Sequence, residues 1–479
     1  MCPILLGIRT PYSKPTYWRQ CSHCQKATMS EPKARPLGGT ELSWCRAVPG
    51  GTGITVLSLL LSRRPDPSLL QSALQKLQLH HPILRSTLSS SSISISSFPS
   101  VRLQSLEPPS NLLQTHLPFS SFHLLLEHEL NQNPWSQFEE EEEDDDDDDA
   151  QFDVFFATLY SLPDSKHVLS LRLHTSICDR TAAVALSREL LGLMREGEKW
   201  VSGDVGGEEM FLTIEEMVPK GKGDKPFWSR GVDLMGYSLN SMRISNLGFG
   251  DVDAERASEV VRMQMSREET DRILAGCRER EIKLCGALTA AGLIAANSKN
   301  IANNWSGNYT VVTMIDCRKY LDPVLQENCL GFYFSGILNT HSVTKGEELW
   351  DVAKRCHMAL SNAIKSNKHF TDMGDLNFLM CKAIDNPGLT PSSSQRTAFM
   401  TMFEDTVIDD SSDSHEEVGL EDYIGCSSIH GVGPSVAVFD TVRNGRLDCA
   451  FVYPSPLHSR KQMQELIDDM KNILVGGRD

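Results

Sequence analysis

A polar, glycine-rich stretch from Val201 to Trp228 divides this sequence into two halves that carry similar secondary-structure patterns. In each half, short β-branched and aromatic runs indicate strands, and runs with apolar residues three and four positions apart indicate helices. A chain of 479 residues also exceeds the usual size of a single domain. The pattern therefore predicts a two-lobed α/β protein, with a linker at residues 201–230.

The predicted boundaries follow from where the patterned segments begin and end. Residues 1–36 are expected to form a disordered N-terminal extension, in which Met29 is an alternative start. We assign residues 37–200 to the first lobe and residues 231–479 to the second. Inside the first lobe, residues 139–149 are eleven consecutive acids. This run predicts a solvated, disordered loop rather than a cation site, because a flexible uniform segment offers no fixed ligand geometry.

Local signals place most of the secondary structure. In the first half they predict strands at Glu41–Ala47 and Gly53–Leu61, a helix capped by Asp66, a hairpin of Phe152–Tyr160 with His167–Leu173, and a helix at Arg180–Met194. In the second half they predict strands at Val260–Met265, Tyr309–Ile315 and Gly331–Asn339, helices at Thr270–Glu281, Leu284–Ala296 and Glu347–Lys365, a hairpin of Val436–Asp440 with Leu447–Tyr453, and a closing helix from Ser459 or Arg460.

Charge and cysteine usage limit the partners and the compartment. The net charge of -17 disfavours binding to nucleic acid or to an anionic membrane, and no apolar run reaches the ~18 residues of a membrane-spanning helix. Thirteen scattered cysteines indicate reduced thiols, and the lone CxxC of Cys21 and Cys24 predicts no metal site. We therefore expect a cytoplasmic protein. The basic first 28 residues leave import into an organelle as the alternative.

One pair of residues has the placement of an active site. His174 ends the predicted strand of the hairpin, and Asp179 lies five residues later, where the next helix begins. Strand ends that lead into helices are common active-site positions in α/β folds. The same residue types also fit a buried, hydrogen-bonded histidine and a helix-capping aspartate. The residue types alone leave both interpretations open.

The segment Leu171–Arg180, LRLHTSICDR, resembles the active-site region of the CoA-dependent acyltransferase superfamily. This superfamily includes peptide-synthetase condensation domains, alcohol acetyltransferases and BAHD enzymes, and its motif is HHxxxDG or, at its shortest, HxxxD. Further segments are similar to family elements in the same order: His81–Arg85, Asp316–Arg318 followed by Leu330–Tyr333, and Ser427–Pro434. The resemblance spans about residues 37–475.

The resemblance implies an α/β fold of two chloramphenicol-acetyltransferase-like lobes with a tunnel between them. It also implies acyl-CoA as a co-substrate, a small-molecule acceptor, no permanently bound cofactor and no metal. In the family, the motif histidine takes a proton from the acceptor's hydroxyl or amine, which requires a neutral imidazole within hydrogen-bond reach. The motif aspartate pairs with an arginine and shapes the loop. A monomer is expected because one chain supplies both lobes.

The sequence departs from the motif at its most important position. Counting back from Asp179, the family's catalytic histidine falls at Thr175, while His174 occupies the first, non-catalytic position and Arg180 replaces glycine. A threonine hydroxyl is not a base near neutral pH. Because one step along a strand reverses the side chain's direction, His174 is not a simple substitute.

Three hypotheses remain. Acyl transfer persists through His174 turned in by a bulge, through His430, or through positioning and oxyanion stabilisation. Alternatively, the fold is a catalytically inactive binder of acyl-CoA, a metabolite or a protein partner, or it hosts another reaction. His430 also fits a turn that merely caps backbone groups. The predicted site comprises His174 and His430 as catalytic residues, Asp179, Thr175 and Arg318 as structural residues, and Ser427, Ser428, Gly431 and Gly433 as binding residues.

Overall fold

The computed structural model describes residues 33–113, 120–137, 151–196, 212–225, 245–299, 306–386, 394 and 396–477. Most of the predicted N-terminal extension, the acidic run at 139–149 and most of the predicted linker at 201–230 lie outside these residues. The linker and the lobe boundaries therefore stay predictions.

In chain order the strands are β1 (Lys33–Pro36), β2 (Thr52–Leu61), β3 (Ser86–Leu88), β4 (Ser92–Ile95), β5 (Leu103–Leu106), β6 (Phe152–Asp153), β7 (Phe155–Ser161), β8 (His167–His174), β9 (Ala257–Gln264), β10 (Ser306–Asp316), β11 (Phe334–Thr344), β12 (Arg396–Phe403), β13 (Val407–Asp409), β14 (Leu420–Ile429), β15 (Gly433–Arg443) and β16 (Arg446–Ser455). The helices are α1 (Gly39–Ala47), α2 (Pro67–His80), α3 (Ser110–Leu113), α4 (Ser121–Leu130), α5 (Arg180–Glu196), α6 (Arg267–Glu279), α7 (Leu284–Lys299), α8 (Leu349–Lys365), α9 (Lys368–Thr371), α10 (Met373–Asp385), α11 (Ser412–Val418) and α12 (Arg460–Gly476).

Two large sheets and one small sheet organise these elements. The first large sheet has the order β14-β2-β8-β7-β5, and the second has the order β11-β10-β12-β15-β16-β9, with β13 beside β15. A small sheet of β1, β4, β3 and β6 completes the described strands. Both large sheets mix parallel and antiparallel pairs, which agrees with the predicted two-lobed α/β architecture.

Helices cover the sheets and supply the core. In the second lobe, α7 packs between α8 and α12, and its residues are buried around most of its circumference. A helix that is apolar on all sides can be stable only in such an interior position. In the first lobe, α2 packs against α5. The predicted helices at these positions are therefore confirmed.

The first sheet contains a strand from the far end of the chain. Strand β14 pairs antiparallel with β2, from Leu420 opposite Leu61 to Ile429 opposite Thr52. The sequence patterns did not indicate this strand. Because β14 belongs to residues 231–479, the first sheet also contains a segment from beyond the predicted first lobe.

The hairpin near the C-terminus confirms another local prediction. Strands β15 and β16 are joined at Asn444 and Gly445, whose φ angles are 50° and 71°. A two-residue turn with positive φ at both positions matches the twist of the strands that it joins. Asparagine and glycine tolerate that conformation best.

The predicted strand at Glu41–Ala47 is wrong, because these residues belong to helix α1. The Glu41 carboxylate accepts the Gly38 amide at 2.9 Å and pairs with Arg35 at 2.7 Å. An acid at the third helical position satisfies a free backbone donor and interacts favourably with the helix dipole. The wrong prediction arose because the short run of alternating apolar and polar residues resembles a strand.

Candidate functional site

A cavity of about 420 Å³ is lined by residues of both large sheets and of helices α1, α5 and α10. Its volume falls within the range of ~300–1,000 Å³ that is typical of small-molecule sites. Thr175, the residue after β8, lies on its wall together with Ser427 and Ser428 of β14. The cavity is therefore the candidate functional site. That it opens at both ends as a tunnel stays a prediction.

Three hydroxyl groups form a row on the cavity wall, which we call the hydroxyl row: Thr175, Thr55 and Ser427. Thr175 Oγ1 donates to the Gly53 carbonyl oxygen at 2.5 Å and lies 2.7 Å from Thr55 Oγ1, which lies 2.8 Å from Ser427 Oγ. Each hydroxyl has one proton. Since the Thr175 proton points to Gly53, Thr55 donates to Thr175, and Ser427 donates to Thr55.

The direction of these hydrogen bonds determines how the hydroxyl row can interact with a ligand. With all three protons committed to protein oxygens, the row offers lone pairs as hydrogen-bond acceptors to a ligand. Ser427, which ends the row and is only half-buried, has the most available oxygen. The row can thus orient a ligand N–H or O–H group but lacks the basicity to remove its proton. Thr55 was missed by the sequence reasoning, since it lies in an apolar strand without a motif.

His174 lies on the opposite face of β8 from the cavity. Its ring is 1% exposed and packs edge-on against Trp135, with ring centres 5.1 Å apart. His174 Nδ1 accepts the Ser176 amide at 3.2 Å, so the ring proton is assigned to Nε2. The pairing of β8 with β2 continues without a shift as far as His174, opposite Ile54. No bulge turns this histidine inward, and it is not among the described residues that line the cavity.

The buried position of His174 predicts a pH dependence of stability. Burial lowers the pKa of His174 to about 3, so the folded protein keeps a neutral ring where the unfolded chain binds a proton. The free energy of unfolding should therefore fall by about 1 kcal/mol per pH unit below pH ~6.5 on account of this residue. We expect His174→Asn, which retains an acceptor for Ser176, to lose less stability between pH 7 and pH 5 than the wild type does.

Urea unfolding at pH 8, 7, 6 and 5 measures this difference. Replacing the ring lowers stability at pH 8 because contacts with Trp135 are lost. The gap between the two proteins should then narrow as the pH falls. Parallel curves for wild type and variant would contradict a neutral, buried His174.

His430 is also not among the described residues that line the cavity. Its Nδ1 is 3.0 Å from Ser258 Oγ, and its amide donates to the Gly51 carbonyl oxygen at 3.2 Å. The ring lies directly against Gly51, where a Cβ atom would be 1.9 Å from Nε2. Burial lowers the pKa of His430 to about 4. These contacts agree with a turn-stabilising role and do not support the predicted catalytic role of His430.

Asp179 has the partners of a structural residue. Its carboxylate accepts the amides of Ala182 at 2.9 Å and Tyr333 at 2.8 Å, and it lies 2.9 Å from the Arg318 guanidinium. Burial raises the pKa of Asp179, while Arg318 and the two amides favour its charged form. Arg180 instead pairs with Asp440 at 3.1 Å. The contacts agree with the predicted structural roles of Asp179 and Arg318.

The predicted binding residues divide into two groups. Ser427, Ser428 and Gly433 line the cavity, although Ser428 Oγ already accepts the Ile54 amide at 3.0 Å. Gly431 has a packing role instead, because a Cβ atom there would be 2.3 Å from the Gly50 carbonyl oxygen.

An arginine that the sequence reasoning missed holds the loop between β14 and β15. Arg396 is fully buried and donates to the carbonyl oxygens of Ile429, Gly431 and Pro434. It thereby fixes the backbone that follows Ser427 and Ser428. No local pattern in the sequence had indicated strand β12, from which Arg396 reaches this loop.

Solved structures with the same arrangement identify the fold. The TRI3 trichothecene 15-O-acetyltransferase from Fusarium sporotrichioides matches with a TM-score of 0.68 and 11% identity, over 94% of this chain and 98% of that one. The EpoB cyclization-docking bidomain from Sorangium cellulosum matches with a TM-score of 0.64 and 12% identity, over 92% and 85%. The condensation domain of the Monacolin K polyketide synthase MokA matches with a TM-score of 0.55 and 9% identity, over 93% and 98%. This chain has the condensation-domain fold.

The condensation-domain fold confirms the two-lobed α/β architecture that the resemblance predicted. No family model matches the chain, and no curated protein matches it in sequence. The likeness therefore concerns the fold, which condensation domains share with an acetyltransferase. The chemistry of this chain depends on the residues of its own cavity.

The described ranges were found to contain neither a metal site nor a membrane-spanning helix. In the described ranges, no group of three His, Cys, Asp or Glu side chains is arranged to hold a metal ion. None of the helices in the described part of the chain is both long and apolar enough to cross a membrane.

Proposed function

We propose that this protein transfers an acyl group from an acyl-CoA thioester to a small-molecule acceptor in the cavity, without a histidine base at the motif position. The observation that carries the proposal is the hydroxyl row at the position where the motif places histidine. Thr175, Thr55 and Ser427 line a cavity of ligand size, and all three offer acceptor oxygens. The acceptor molecule must therefore be a nucleophile that attacks before it loses a proton.

A weakly basic amine meets this requirement, because it is neutral near pH 7 and has a free lone pair. Its N–H group would donate to Ser427 Oγ, which orients the nitrogen towards the thioester carbonyl carbon. A carbon–nitrogen bond forms, the carbon–sulfur bond breaks, and the proton lost from nitrogen ends on the CoA thiol. An alcohol is a poor acceptor here, since it needs a base during the attack.

The retained frame around the cavity supports turnover. Asp179 and Arg318 connect the start of α5 to the segment before β11 through a buried ion pair and the Tyr333 amide. These contacts hold Thr175 and the opposing sheet in a fixed relation. Positioning of two reactants in such a frame accounts for a large part of many enzymatic rate enhancements.

The second candidate is a binding protein of the same fold that does not turn over. The burial of His174 against Trp135 and of His430 against Gly51 favours it, because neither imidazole reaches the cavity. This candidate requires the same acyl-CoA or metabolite binding but no reaction. Under both candidates we propose a cytoplasmic monomer whose partners are small molecules.

Paired acceptors test the proposal. Aniline and benzyl alcohol, each with acetyl-CoA at pH 7.5, should differ in product formation by about 10²-fold or more in favour of the amine, because a missing general base costs roughly that factor. Mass spectrometry of acylated product and free CoA measures both rates. Ser427→Ala should lower kcat/KM for aniline by roughly threefold to tenfold, the effect of one hydrogen bond.

Ser90→Ala is the matched control, since Ser90 is an exposed serine that does not line the cavity. Thioester binding without any product from either acceptor would favour the second candidate. Equal rates for both acceptors, abolished by His430→Ala, would instead restore His430 as the base.

A further inference from the structure

The cavity extends into an apolar chamber between helix α10 and strands β10 and β11. Directly opposed residues of the two strands face this chamber: Thr310 and Thr340, Val312 and Leu338, Met314 and Gly336. Their neighbours Val311, Ile315 and Ile337 point into the core of the second lobe. This alternation is expected of a sheet with one face on the core and the other on a cavity.

Helix α10 forms the other wall with Met373, Leu376 and Met380. Methionine side chains adapt to ligands of different shape because they are unbranched and flexible. Helix and sheet meet at Gly336, where a Cβ atom would be 3.2 Å from Val312 and 3.6 Å from Leu376. Gly336 therefore allows the helix and the sheet to pack closely at this point of the wall.

The chemistry of the chamber favours hydrocarbon. The hydroxyls of Thr310 and Thr340 are 3.3 Å apart and bond to each other, and Thr340 is exposed, so this polar pair lies where the chamber meets solvent. Asn377 of α10 also lines the cavity, but its amide donates to Thr40 at 2.9 Å. The Ser335 hydroxyl lines it too, and the other facing groups are carbon and sulfur atoms. A polar substituent placed here would lose its hydrogen bonds to water, whereas a hydrocarbon gains from every methylene that it buries.

We infer that this chamber binds a saturated hydrocarbon chain of the substrate, carried either by the acyl donor or by the acceptor. The inference rests on the proposed function, because the chamber and the hydroxyl row belong to one cavity. A chain in the chamber leaves the polar end of the same molecule at Thr175 and Ser427. The chamber then selects substrates by the length of their hydrocarbon chain.

Binding of two ligand series tests this inference and separates the two sources of the chain. Acyl-CoAs from acetyl to dodecanoyl form the donor series, and 4-n-alkylanilines from methyl to octyl, which are weakly basic and neutral near pH 7, form the acceptor series. Isothermal titration calorimetry of each ligand alone measures Kd without turnover. In one series, Kd should fall roughly threefold to fourfold per added methylene and then become constant when the chamber is full.

The chain length at which Kd becomes constant is the chain-length limit. Two variants should move this limit in opposite directions. Leu376→Ala enlarges the chamber and should shift the limit to a longer chain, while Val312→Phe fills it and should shift the limit to a shorter chain. Leu79→Ala is the matched control, because Leu79 is 54% exposed on helix α2 and does not line the cavity. It should leave the limit unchanged, and thermal melting checks that all three variants fold.

A Kd that does not depend on chain length in either series would overturn the inference, as would a limit shared by wild type, Leu376→Ala and Val312→Phe. Failure of the proposed function looks different. In that case the chain-length limit and its shifts remain in the calorimetry, but no free CoA appears when both ligands are present.

Discussion

Replacing Thr175 with histidine is expected to raise turnover with an alcohol acceptor by about 10²-fold or more. The variant places an imidazole on the cavity wall beside Thr55, where a general base typically contributes a factor of ~10²–10⁴. The rate should increase with pH through a midpoint near the ordinary histidine pKa of ~6.5, because only the neutral ring accepts a proton. Measuring kcat for benzyl alcohol with acetyl-CoA between pH 5 and pH 9 checks both expectations.

Thr175→Val is the control for this experiment. Valine has the shape of threonine but cannot donate to the Gly53 carbonyl oxygen, so it interrupts the hydroxyl row without adding a base. We expect no gain with alcohols and a loss with amines. If Thr175→His binds the thioester as tightly as the wild type but gains no activity at any pH, the missing histidine does not explain the low reactivity of alcohols in this cavity.

Replacing Asp179 with alanine is expected to lower the free energy of unfolding by about 3–5 kcal/mol. Removing one partner of a buried ion pair leaves the other charge without compensation. Here the Arg318 guanidinium, which is 3% exposed, would keep only the partly exposed Asp316 as an ion-pair partner at 3.2 Å. The amides of Ala182 and Tyr333 would lose their acceptor. Chemical denaturation followed by circular dichroism measures the change.

Two controls separate this effect from a general loss of charge. Asp385→Ala removes the partner of Arg46 in a half-exposed pair, and we expect a cost of only ~0–1 kcal/mol. The double variant Asp179→Leu with Arg318→Met removes both charges and should be more stable than Asp179→Ala alone. A loss below 1 kcal/mol for Asp179→Ala would show that this pair does not hold the site together.

The elements that the sequence predicted correctly are those with a local cause. Helix α2 begins at Asp66, which accepts the amides of Ser68 and Leu69, and helix α6 begins with the reciprocal capping of Ser266 and Glu269. The turn at Asn444 and Gly445 depends on two adjacent residues. Such features depend on neighbours along the chain, and a sequence pattern can therefore reveal them.

The elements that the sequence did not predict are stabilised by partners far away along the chain. Strand β14 depends on pairing with β2, more than 350 residues earlier, and strand β12 lies between β10 and β15. Helix α10 contacts α1 of the other half, where Asn377 donates to Thr40 at 2.9 Å. Long-range packing overrides local preference at such places. This is also why the apolar chamber was not foreseen.

By itself, the sequence determined the α/β class, the two-lobed organisation and the replacement of the motif histidine by Thr175. It also indicated that His174 faces away from Thr175, since side chains alternate along a strand. The tertiary structure decided which groups surround Thr175. Thr55 and Ser427 reach it from β2 and β14, and Arg318 reaches Asp179 across 139 residues. Those contacts form only when the two large sheets are assembled, because hydrogen bonds depend on distances that no local pattern encodes.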